Sequence, residues 1–152
     1  MKKAVRDFVI VAAGCVVLAV MLSAPGAGAQ PPTSSEDAAD QGAVVFYFHG
    51  NVRCATCKKI EAYADEAVHS GFAEALEVGD LEWRVVNIDE KENRHFVQDF
   101  QLVTRSVVLV EYRDGKVARW ENLEKVWQLV RDKERFVGYV QAETRDFLGT
   151  GE

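Results

Sequence analysis

Cysteine, proline and basic charge are all scarce in this sequence. Three cysteines among 152 residues are too few for a disulfide scaffold. One of them, Cys15, falls inside an N-terminal apolar stretch and reads as a small apolar residue there, so two remain for the folded part. The three prolines stand at positions 25, 31 and 32, and none follows. Lys and Arg number 18 against 24 Asp and Glu, a net charge of −6. That deficit argues against a nucleic-acid partner, because phosphate binding needs a basic surface. No Gly-rich dinucleotide loop occurs, and no cofactor is expected. The longest apolar run, residues 8–22, is shorter than the roughly 20 residues a membrane-spanning helix prefers.

That run lies within an export signal. Lys2, Lys3 and Arg6 form a basic start, the apolar run follows, and Ala27-Gly28-Ala29 matches a small-residue cleavage pattern before Gln30. Left uncut, the same segment would act as an anchor; Ala12-Ala13-Gly14-Cys15 faintly resembles a lipoprotein box. Residues 1–29 are therefore expected to direct the chain out of the cytoplasm, leaving it periplasmic or anchored facing the periplasm. Cleavage removes Lys2, Lys3, Arg6 and Asp7 and takes the net charge from −6 to −8. Outside the cytoplasm a dithiol stays reduced only if something reduces it.

Residues 30–42 lack an apolar period and read as a flexible linker. The domain is expected over 43–147, and 48% hydrophobic content suits one globular core. Ala-Val-Val-Phe-Tyr-Phe at 43–48 predicts a strand buried on both faces. From Thr56 the period turns helical, with Cys57, Ile60, Ala64, Ala67 and Val68 on one face and Gly71 at its end. A short turn at 72–76, a loop at 78–80 and a strand over 82–88 follow. Asp89 predicts an N-cap for a helix over 90–100. Residues 106–112 and 117–120 pair as a hairpin about Asp114-Gly115. A last helix is predicted over 123–147, with a bend at Lys133 and Glu134. Trp83, Trp120 and Trp127 are expected at the core or its edge. This order implies an α/β fold: a mixed four-stranded sheet with helices on both faces.

Cys54-Ala55-Thr56-Cys57 follows the first strand and opens the first helix, which is the thioredoxin placement of a Cys-x-x-Cys. The chain resembles thioredoxin-like proteins through residues 47–59, through Val86-Asn87-Ile88-Asp89, and through the hairpin at 107–117. It more closely resembles a bacterial group described as nitrophenyl compound nitroreductase subunit, ArsF family, in residues 48–57, 83–87, 93–96 and 104–108. That resemblance implies a place beside a membrane electron carrier or efflux permease, and arsenical or nitroaromatic detoxification as the setting. Two departures stand out. Thioredoxins place a cis-proline before the third strand, where this chain has Arg105; a cis bond at a non-proline residue costs about 2.5–4 kcal/mol, so a trans bond and a differently shaped loop are expected. Thioredoxins also bury an acid on the first strand, and residues 44–48 offer none. His49, Glu61 or water would then move the proton at Cys57.

Cys54 stands where helix amides are unpaired, so its thiolate is favoured and it is the expected nucleophile. Cys57 is the expected resolving thiol. Arg53 and Arg105 are expected to lower the Cys54 pKa, and Arg105 to hold an anionic group. The alternative is a soft-metal or arsenical binding module using Cys54, Cys57 and His49, since two thiolates select copper(I), zinc or trivalent arsenic. His95 is a weaker candidate ligand, and His69 has no assigned role. Lys58 and Lys59 read as surface charge. An inert disulfide or two buried thiols remain the structural alternative for the cysteine pair.

Overall fold

The computed structural model describes residues 41–149. The signal segment at 1–29 and most of the linker at 30–42 lie outside the described residues. The first strand, β1, spans Gln41–His49, so residues 41 and 42 belong to the sheet rather than to a linker. Helices α1 (Ala55–Gly71) and α2 (Ala73–Val78) follow, then β2 (Leu81–Asn87). A 3-10 turn (Lys91–Asn93) and α3 (His95–Asp99) lead to β3 (Ser106–Arg113) and β4 (Lys116–Asn122). Two helices, α4 (Val126–Leu129) and α5 (Lys133–Leu148), close the chain.

The strand order is β2-β1-β3-β4. β1 runs parallel to β2 and antiparallel to β3, and β3 runs antiparallel to β4. A parallel crossover through α1 followed by an antiparallel hairpin is the thioredoxin-like connectivity. β1 is central, which is why its sequence is apolar without alternation. Val45 and Tyr47 face a core shared with Ile60, Ala64 and Val68 of α1, Val126 of α4, and Phe136 and Val140 of α5. Val44, Phe46 and Phe48 face the other layer, with Phe96 of α3, Phe100 and Leu102. The five α1 residues named from periodicity are its buried set. The hairpin turns at Asp114 and Gly115, both at positive φ (52° and 67°), the geometry that an Asp-Gly pair tolerates best.

Two predicted helices are broken. Instead of one helix over 90–100 there are the 3-10 turn and α3. The Asp89 carboxylate does not cap the following turn; it accepts the Asn51 backbone N–H at 2.7 Å. Asn93 binds the Asn87 carbonyl and the Glu90 carboxylate, which holds the segment in a tight turn. The final helix is divided rather than bent. Asp132 is extended (φ −126°, ψ 97°), and its side chain accepts the Arg135 N–H at 3.1 Å, starting α5 afresh. Asp132→Ala is expected to lower stability by about 1 kcal/mol, read as a shift of the denaturant midpoint at constant slope.

Candidate functional site

β1 delivers the chain to the sheet end where α1 begins. His49 closes the strand, and residues 50–53 carry the backbone across to Cys54. Cys54 is the N-cap of α1 (φ −72°, ψ 165°), and its sulfur accepts the Cys57 backbone N–H at 3.1 Å. A cysteine thus takes the place that Ser or Asp usually fills at a helix start. Cys54 and Cys57 form a disulfide, with their Cα atoms 5.0 Å apart. The two sulfurs are not equivalent to solvent. Cys54 is exposed, whereas Cys57 is 3% exposed and packs into the domain. An incoming thiol therefore meets Cys54, and Cys57 waits beneath it.

The Cys54–Cys57 turn is held from two sides. Arg105, in the loop before β3, donates from Nη2 to the Val52 carbonyl at 3.2 Å. Its own carbonyl accepts from Trp127 Nε1 at 2.9 Å, which ties that loop to α4. From below, the buried Tyr47 hydroxyl donates to the Cys57 carbonyl at 2.8 Å. Burial pushes the Tyr47 pKa up, and the positive charges of Arg53 and Arg105 oppose that rise. Before the helix, the Asn51 backbone is held by Asp89, and the Asn51 side-chain oxygen accepts from Asn87 at 2.8 Å. Gly50 sits where a Cβ would come within 2.7 Å of Asp89 Oδ2, so the approach of Asp89 to Asn51 needs a residue without a side chain there.

The other expected residues fall as follows. Arg53 forms an ion pair with Glu61 in the second turn of α1. Its charge is thereby balanced rather than directed solely at Cys54, and Glu61 is engaged rather than free to move a proton. His49 lies at the end of β1, with Nδ1 against the Gly50 carbonyl at 3.0 Å. Among the described residues no three His, Cys, Asp or Glu side chains gather as a metal-binding group. In this oxidised state the two sulfurs are bonded to each other, and the His49 imidazole faces the Gly50 carbonyl. His95 is exposed and bonds locally to the Glu92 carbonyl. Lys58 and Lys59 are exposed. Trp83 and Trp127 pack at the edge of one core layer and Trp120 at the edge of the other.

Sequence reasoning missed Tyr47 and the role of Asp89. Tyr47 stood in an apolar run and read as core, although a hydroxyl buried there must find a partner. Asp89 read as a local cap because its partner, Asn51, is 38 residues away in sequence. For Arg105 the outcome is testable. Arg105→Ala is expected to raise the Cys54 pKa of the reduced protein by up to about one unit, measured from the pH dependence of its alkylation. An unchanged pKa would leave Arg105 as a loop tie alone.

No family model matches the sequence, and no curated protein matches it. Solved structures to which it is similar include thioredoxin O2 from Arabidopsis thaliana in the oxidised state, at 20% identity, covering 62% of this chain and 75% of that one, with a TM-score of 0.36. Thioredoxin f2 from Chlamydomonas reinhardtii shares 18% identity over 62% of this chain and 81% of that one, TM-score 0.37. Fasciola hepatica thioredoxin shares 19% over the same fractions, TM-score 0.35. The fold assignment rests on the strand order and pairing described above.

Proposed function

We propose that this chain is an exported thiol–disulfide redox protein that exchanges electrons with one particular partner through Cys54 and Cys57. The observation that carries this reading is the asymmetry of the pair: an exposed sulfur at a helix N-cap, joined to a buried one a single turn on. A structural staple is the weaker explanation. The bond spans a sequence separation of only 3, and disulfides that close short loops constrain the unfolded chain least.

In the oxidising direction, a partner thiolate attacks the Cys54 sulfur. The Cys54–Cys57 bond breaks, and Cys57 leaves with the electron pair and takes up a proton. A second partner thiolate then attacks the partner's own sulfur in the mixed disulfide and releases Cys54 as a thiolate. The partner loses two electrons and two protons overall, and the protein gains them once Cys54 is protonated. The reducing direction runs the same steps backwards, with Cys57 attacking the mixed disulfide. The donated Cys57 N–H and the helix start favour the Cys54 thiolate in either direction.

The setting is also proposed: a membrane electron-transfer protein or permease as partner, and arsenical or nitroaromatic detoxification as the system. The export pattern and the ArsF-like residues at 48–57 support it. An open groove of about 470 Å³, lined by Arg53, Lys58, Glu61, Trp83 and Val85, begins at the residue before Cys54 in sequence and is suited to a partner segment. The deciding experiment is the reduction potential of the purified protein, with and without arsenite and copper(I). A reversible two-electron couple supports the redox reading. Stoichiometric binding by the reduced form without any reversible couple would replace it with the soft-ligand module.

A further inference from the structure

Two carbonyls flank the disulfide, and each is held by a side chain from another part of the fold. Arg105 holds the Val52 carbonyl on one side, at a site open to solvent. Tyr47 holds the Cys57 carbonyl on the other, from a position with no exposure at all. A buried hydroxyl on β1 is unusual in a layer whose other buried members are Val, Ile, Leu, Ala and Phe, since it is tolerated only when paired. Its pairing here is to the backbone of the buried cysteine.

We propose that Tyr47 is a positioning residue for the dithiol couple. By fixing the Cys57 carbonyl it sets the first turn of α1, and with it the aim of the Cys57 N–H at the Cys54 sulfur. That N–H···S bond, 3.1 Å in the oxidised protein, donates to the sulfur that carries the charge once Cys54 is released from the mixed disulfide as a thiolate. Tyr47 touches neither sulfur in this role and moves no proton. Burial pushes its pKa above the ordinary tyrosine value, so it remains a donor throughout the range in which thiols titrate. The device differs from a buried acid in one respect: over that range its support of the couple does not change with pH.

The proposal rests on the redox reading above and is tested with it. Tyr47→Phe keeps the ring in the core and removes only the hydroxyl. The reduced variant is expected to show a higher Cys54 pKa. A rise of about half a pH unit would slow alkylation by iodoacetamide near neutral pH about threefold. Its equilibrium with glutathione, measured at a pH above the Cys54 pKa where the reduced form is the thiolate, should move by a similar factor toward the oxidised protein, because that thiolate loses stabilisation. Tyr112→Phe serves as the comparison, since Tyr112 is also buried but belongs to the opposite layer of the sheet. It should leave both readouts unchanged. A Tyr47→Phe protein with unaltered pKa and equilibrium overturns the proposal alone, as does an equal change in Tyr112→Phe. Absence of a reversible couple in the unsubstituted protein overturns the redox reading, and the proposal with it.

Discussion

Cys57→Ser is expected to turn the protein into a trap, holding a partner as a mixed disulfide on Cys54, whereas Cys54→Ser should trap nothing. The exposed sulfur can be reached by an incoming thiol, and the buried one cannot. With Cys57 gone, the bond from Cys54 to the partner has no neighbouring thiol to resolve it, so it persists until an external thiol attacks. With Cys54 gone, Cys57 is left 3% exposed under the start of α1. Both variants should lose turnover to the uncatalysed background. The measurement is non-reducing electrophoresis and mass spectrometry of complexes formed with a thiol-bearing partner or a small dithiol. Equal trapping by the two variants would contradict the assigned order of attack. Neither substitution should greatly change stability, because the bridged loop is short.

Phe48→Ala is expected to remove about 3–5 kcal/mol of stability, a large part of the roughly 5–15 kcal/mol available to a domain of this kind. Phe48 is fully buried at the site end of β1, paired with Val86 of β2 and Ser106 of β3. Its ring stacks on Phe46 with centroids 5.1 Å apart and meets Phe96 at 5.2 Å and Phe100 at 5.7 Å. The layer on this side is thin. α3 has five residues, so neighbouring side chains have little regular structure from which to collapse into the space left by the ring. The check is chemical denaturation followed by both fluorescence and circular dichroism, with coincident transitions and an unchanged slope. A loss below about 1 kcal/mol would mean that the aromatic layer repacks freely.

Much of the architecture was readable along the chain because it depends on periodicity. An unbroken β-branched and aromatic run is the pattern of a strand covered on both sides, and β1 is an interior strand. The apolar face of α1 and the Asp114-Gly115 turn are equally local. The failures share one cause. Asp89 and Asp132 are both competent caps, yet the first turns to Asn51 across the fold, while the second interrupts a helix that hydrophobic pattern alone would have continued. A carboxylate's choice between a near and a distant N–H is settled by which donor the packed chain brings to it.

For the site, the Cys54-x-x-Cys57 spacing after a strand was enough to specify a dithiol at a helix start. What surrounds the pair was decided by tertiary structure. Arg53 found Glu61, His49 turned to its own loop, Arg105 reached the Val52 carbonyl, and Tyr47 came up beneath Cys57. The reason is physical. Covalent spacing determines which residues share a helical turn, but the charge and hydrogen bonding around a sulfur come from groups on other elements, and only packing determines their distance.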